Sequence, residues 1–186
     1  AIGEAFDKTA VIMGLGYPGG PEIEKLAKTG NPLAFNLKAG RVKEKPFHFS
    51  FSGLKTAALY ALKGTGANKS SPIILKKEQQ PHLAASFQYA AFKDVINKTL
   101  KAADKYKTST IIFGGGVTQS QTLRDFFSKE KQEEQVLIWP DLELCLDNAA
   151  MIAGLGGYQY LNLGKQDSLS LCAKNRISIG SLETKT

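Results

Sequence analysis

The sequence predicts an α/β layered fold with parallel strands, and three features carry that reading. Two short runs of apolar and β-branched residues, Thr110-Ile111-Ile112-Phe113 and Val136-Leu137-Ile138-Trp139, have the composition of strands buried on both faces. Segments of helical period stand before, between and after them, and strand–helix–strand alternation implies a parallel pair. The first run ends in Gly114-Gly115-Gly116 and leads to a helix, an order that puts ligands at the carboxyl end of a sheet strand. The triplet is not a G-x-G-x-x-G signature, so no dinucleotide fold is assigned.

Taken in order, the chain opens with Ala5, Phe6, Thr9, Ala10, Ile12 and Met13 at helical spacing, which predicts a helix over 4–13 with Asp7 and Lys8 off its apolar stripe. The run Gly14-Leu15-Gly16-Tyr17-Pro18-Gly19-Gly20-Pro21 cannot continue it. Pro21 suits the first turn of a second helix over 21–29, with Gly30 beyond its end. A Gly-Gly pair before a helix start lets backbone approach a ligand, although such turns also serve as plain connectors. Lys38, Arg41, Lys43 and Lys45 mark a basic loop. Phe47, Phe49 and Phe51 alternate with polar residues, which predicts a short strand with one apolar side, for core burial or base stacking. An alanine-rich helix to Leu62 and a Gly/Ser loop over 64–72 follow.

The longest helix is expected over 81–106, its buried stripe marked by Leu83, Phe87, Ala91, Val95 and Leu100, with His82 at the surface. After the first strand, Thr118 and Gln121 have capping-box spacing and predict a helix through Leu123 and Phe126. Pro140 stops the second strand. Asp147 then precedes a helix to about 161, where an acidic residue can cap the free N–H groups or ligate a hard cation. Gly154, Gly156 and Gly157 on that helix suggest close packing against another backbone. Two strands are too few for a sheet, and Ala1 enters a helical pattern with no initiator methionine. The chain therefore reads as the later part of something longer.

The 186 residues are 42% hydrophobic and 22% charged, as expected of a globular chain that buries one core. No apolar run approaches the roughly 20 residues of a membrane span. No secretory leader is evident, and Cys145 and Cys172 lack metal-type spacing, so a reducing cytoplasm is expected. The net charge of +7 suits a polyanionic partner such as RNA, or only a solubilising surface.

Five segments in one order carry a resemblance. They are Gly3-Glu4-Ala5-Phe6-Asp7-Lys8-Thr9-Ala10, Tyr17-Pro18-Gly19-Gly20-Pro21, Phe49-Ser50-Phe51-Ser52-Gly53-Leu54-Lys55-Thr56, Gly115-Gly116-Val117 with Leu123-Arg124, and Asp147-Asn148-Ala149-Ala150-Met151-Ile152-Ala153. Over about residues 3–161 the chain resembles the C-terminal half of the TsaD family, tRNA threonylcarbamoyladenosine transferases once called O-sialoglycoprotein endopeptidases. The resemblance implies the actin-like, sugar-kinase-like ATPase fold. It also implies one C-terminal part of a two-lobe protein over 1–186, with an insertion at about 31–75 and a tail at about 164–186.

The activity so implied is transfer of a threonylcarbamoyl group from threonylcarbamoyl-adenylate to the adenosine beside the anticodon of tRNA. Position by position, the resemblance makes Asp147 a metal ligand. Asp7 and Glu24 become ribose contacts, and Gly20 a glycine whose backbone lies against the nucleotide. Ser120 stands where the family has a nucleotide-contacting asparagine; the serine keeps a hydrogen-bonding oxygen but loses the amide donor, and His48 stands where aspartate is common. No catalytic residue is assigned. The implied cofactors are one divalent metal, iron or zinc, and ATP or the adenylate. The implied partners are tRNA and, as in bacterial members, an inactive paralogue subunit and a small ATPase subunit, with no membrane. The family's two metal-binding histidines, spaced H-x-x-x-H, match neither His48 nor His82, so this chain by itself is expected to be inactive. The rivals are a kinase or simple ATPase of the same superfamily, a glycoprotease under the older name, and a nucleotide-binding module that docks tRNA or a partner without catalysis. The chain has no H-E-x-x-H for a metalloprotease.

Overall fold

The computed structural model of the protein describes residues 1–173, and the end of the expected tail lies outside them. The chain divides into two compact units, Ala1–Asp147 and a second that begins at Asn148. In the first, α1 (Ile2–Ile12), α2 (Gly19–Ala27), α3 (Ser52–Lys63) and the long α4 (Gln80–Lys105) precede β1 (Thr110–Ile112), α5 (Gln121–Glu130) and β2 (Val136–Ile138). The second unit contains α6 (Ala149–Leu163).

Helix α4 is the spine of the first unit: α2, α3 and α5 all pack on it. Its Leu83, Phe87, Ala91, Phe92 and Ile96 are fully buried, in two runs of i+4 steps (83–87–91 and 92–96) that keep one stripe facing inward. Phe6 of α1 meets that stripe edge-on at Phe87, with ring centroids 5.1 Å apart, and stacks on Phe92 at 5.4 Å. Each such ring contributes about 1.5–3 kcal/mol on burial. Ile23 of α2 and Leu54 and Leu62 of α3 complete this core.

β1 and β2 pair in parallel, Thr110 opposite Val136 and Ile112 opposite Ile138, as the alternation of elements predicts. The expectation of burial on both faces is not met: Ile112 is 75% exposed and Val136 54%. Among the described residues the sheet has two strands, so no further layer covers these side chains. The apolar ends of the strands are packed, however. Phe113 and Trp139 stack at 3.6 Å, and both rings meet the buried Phe127 of α5 edge-on.

Several local expectations are corrected. Residues 47–51 form no strand, since Ser50 makes only a single antiparallel bridge with Gly40, and of the three phenylalanines only Phe51 is buried. Helix α2 starts two residues before Pro21, so the Gly-Gly pair is its first turn. Thr118 does not cap α5: its hydroxyl donates to Gly115 O, and Ser120 is the cap. His82 is half-buried, and its Nδ1 accepts the N–H of Asn31 at 2.8 Å, a donor left over just after α2 ends. In the second unit, added Cβ atoms at Gly154, Gly156 and Gly157 would meet nothing within 4 Å among the described residues, so close packing within them does not explain those glycines. Gly164, at φ +61°, ends α6 in the left-handed conformation that favours glycine. Among the described residues no helix is long and apolar enough to cross a membrane.

Candidate functional site

The first turn of α2 has no capping side chain of its own, because Pro18 occupies the N-cap position. Asp7 of α1 supplies the missing acceptor, and the Gly19 N–H donates to its Oδ1 at 2.8 Å. A carboxylate there also faces the positive end of the helix dipole. The approach is so close that a Cβ on Gly19 would lie 2.6 Å from Asp7 Cα and 2.9 Å from Phe6 O. Gly19 is therefore required by packing. Gly20 is different: among the described residues a Cβ there would meet nothing within 4 Å, so they leave the space in front of it open.

Glu24 lies one helical turn after Gly20, on the same face of α2. Its Oε1 accepts three hydrogen bonds from the start of α5: Ser120 Oγ at 3.1 Å, Thr122 N at 3.1 Å and Thr122 Oγ1 at 2.6 Å. Ser120 Oγ in turn accepts the N–H of Leu123 as the α5 cap. One carboxylate oxygen thus ties α2 to the N-terminus of α5 and leaves Oε2 without a partner among the described residues. The small cavity beside Glu24, Thr122 and Gln88 is about 170 Å³. That is below the roughly 300 Å³ at which small-molecule sites begin. A nucleotide would have to lie along the open face at Gly20, outside this cavity.

The glycine turn after β1 and the loop after β2 are held together by Arg124 of α5. Its Nε donates to Thr118 O and its Nη2 to Pro140 O, both at 2.8 Å, while Nη2 also reaches Cys145 Sγ at 3.7 Å. Its guanidinium lies 5.2 Å from the Trp139 ring centre. Gln119 Nε2 adds a bond to Leu142 O. The Leu146 side chain packs against Gly116, within 2.9 Å of where a Cβ would stand. This loop delivers Asp147.

Asp147 does not cap α6. The cap is Asn148, whose Oδ1 accepts the Met151 N–H at 2.9 Å, and Asp147 precedes it with an exposed side chain. An amide preceded by a carboxylate leaves the two in competition for the cap, and here the amide takes it. Among the described residues no three His, Cys, Asp or Glu side chains converge in a way that could hold a metal ion. Asp147 offers one oxygen donor, and the described residues do not by themselves fit a metal centre.

Hydrogen bonds therefore link Asp7 to the start of α2 and Glu24 to Ser120, so that the two ends of α2's first turns and the α5 cap form one surface. Among the described residues no hydrogen bond or ion pair joins Asp147 to them. It is placed beside the glycine turn through Leu146 and through the loop that Arg124 and Gln119 hold. Sequence reasoning missed Thr122 and the bridging role of Arg124. Nothing in the spacing of Arg124 shows that it spans two loops.

Comparison with known proteins supplies the remaining information. The model of the family TsaD, tRNA N6-adenosine threonylcarbamoyltransferase, matches residues 1–154. A protein of that name from Protochlamydia amoebophila is 50% identical over 183 residues, which cover 98% of this chain and 53% of the relative. Namesakes from Thermosipho melanesiensis and Prochlorococcus marinus are 44% and 37% identical, covering 92% and 99% of this chain and 51% and 52% of theirs. The chain spans about half the length of the curated relatives it matches.

Proposed function

We propose, since the chain belongs to the TsaD family, that its first unit forms the wall against which threonylcarbamoyl-adenylate lies during transfer to a tRNA adenosine. The observation that carries this reading is the Glu24 bridge. It sets an open helix start at Gly20 beside a carboxylate whose second oxygen is unspent. In this reading a nucleotide is held by two complementary kinds of group. Ribose hydroxyls donate to the spare oxygens of Asp7 and Glu24, and the first turn of α2 offers N–H groups to oxygen atoms. Ser120 Oγ donates its one proton to Glu24 and accepts the Leu123 N–H, so toward the nucleotide it can act only as an acceptor, through its second lone pair.

The reaction is an acyl transfer. The exocyclic amine of adenosine attacks the carbamoyl carbon, a C–N bond forms, the bond from that carbon to the phosphate oxygen breaks, AMP leaves and the amine loses a proton. Holding the adenylate fixed removes orientational freedom before attack, the kind of contribution a rigid wall makes. The actin-like ATPase architecture and the cytoplasmic setting belong to the same proposal. So do Asp147 as one ligand of a divalent iron or zinc, and the partner subunits of bacterial members.

Asp147 separates an enzyme from a docking module. In a protein of the relatives' full length, Asp147→Ala is expected to abolish threonylcarbamoylation, measured by nucleoside analysis of tRNA, while tRNA binding is retained. Modification at the unsubstituted rate would instead make the chain a scaffold. The 186-residue chain alone is expected to modify no tRNA.

A further inference from the structure

We infer that the cleft between the 41–47 loop and α4 is a contact surface for an RNA sugar–phosphate backbone, an inference that rests on the tRNA reading above. The cleft has a volume of about 360 Å³ and is lined by Arg41, Lys45, Phe47, Asp94, Lys98 and Lys101 among others. Its charge is one-sided. Asp94 is spent on Lys98, whose Nζ lies 2.8 Å from Oδ2, with both side chains largely buried. The same Nζ donates to His48 O at 2.9 Å and so fastens the loop to the helix. Arg41, Lys45 and Lys101 are exposed and have no ion-pair partner among the described residues. They therefore face solvent as uncompensated cations over a floor that is already neutral.

Aromatic rings continue the same surface. Lys105, one turn beyond Lys101, lies over Phe47 at 5.1 Å and over Tyr106 at 5.4 Å, and Tyr106 is 69% exposed. Cations that line a groove, with an open ring beside them, are the arrangement that tracks a nucleic-acid strand and stacks an unpaired base. A small neutral ligand would gain little from three free cations. Dispersed surface lysines, by contrast, would not share a cleft whose loop is fastened to α4 by the Lys98 bond to His48 O.

The test is tRNA binding by this chain over a range of salt, measured by fluorescence anisotropy, for the unsubstituted protein and two charge-matched triple variants. In the first, Arg41, Lys45 and Lys101 are all changed to Gln. In the control, Lys69, Lys76 and Lys77 are changed to Gln, all exposed and outside the cleft. The cleft variant is expected to bind about tenfold or more weakly at low salt. Its plot of log affinity against log salt should flatten by about 1 for each lost contact, while its melting temperature stays unchanged. The control should bind as the unsubstituted chain does. Equal weakening of both variants would show a general charge effect and overturn the inference. A cleft variant that binds normally would also overturn it, while leaving the transferase reading intact. Absence of any tRNA binding by the unsubstituted chain would overturn it too, with the transferase reading judged separately by tRNA modification in the full-length protein.

Discussion

Changing Gly30 to alanine is expected to destabilise the first unit by about 3 kcal/mol or more, read as a fall in the urea midpoint with an unchanged slope. A Cβ at this position would stand 2.0 Å from Pro81 O, 2.5 Å from Pro81 C and 2.8 Å from Ala85 Cβ. The first two are backbone atoms at the start of α4, so no rotamer change relieves the clash, and α2 must move away from the spine. Folded domains are stable by only about 5–15 kcal/mol, so this single methyl group spends a large share of the total. The consequence reaches the site, because α2 carries Gly20 and Glu24. Unchanged stability in Gly30→Ala would show that α2 is not seated on α4 as described.

The second large effect is expected at Arg124. Arg124→Ala removes two charge-assisted bonds and leaves Thr118 O and Pro140 O without their donor. A bond to a charged group contributes about 1.5–3 kcal/mol, so a loss of about 3 kcal/mol is expected once the two are discounted for partial exposure. Arg124→Lys should recover less than half of that. A single ammonium cannot reach both carbonyls and lie over Trp139 with the geometry of a planar fork. Amide hydrogen exchange locates the effect: protection should fall over 115–120 and 139–146, the two segments Arg124 joins, and remain along α4. Uniform loss of protection would mean that Arg124 supports the core in general and does not clamp the loops.

Much of the helical architecture was legible because burial on one face imposes a period. α1, α2 and α4 fall within a few residues of the spans that the Ala5-to-Met13 spacing, Pro21 with Gly30, and the Leu83-to-Leu100 stripe suggest. The parallel pairing of β1 and β2 was legible from the elements between them. The failures have local causes. Alternating phenylalanines at 47–51 imitate a strand, yet a strand requires a partner, and only Gly40 pairs there. Thr118 had the right spacing for a cap, but its hydroxyl found Gly115 O first, and the helix began at Ser120. Gly30 has the sequence position of a helix-end residue. Its φ is not in the left-handed region, and what it supplies is room for Pro81. The site residues were named through the resemblance, whereas the bonds that unite Asp7, Glu24 and Ser120 cross gaps of 12 and 96 residues that no local pattern encodes.

The claim that Asp7, Gly20, Glu24 and Ser120 form one adenylate-facing surface is tested most directly by amide chemical-shift mapping of the chain with AMP. Shifts are expected at Gly19–Gly20 and over 120–122, and they should be lost in Gly20→Ala. That variant fills the open space before the helix, lowers affinity about tenfold, or roughly 1.4 kcal/mol, and leaves the fold as stable as before, because alanine suits a helix better than glycine. Shifts confined to other surfaces, or a Gly20→Ala protein that binds AMP as well as the original, would contradict the account.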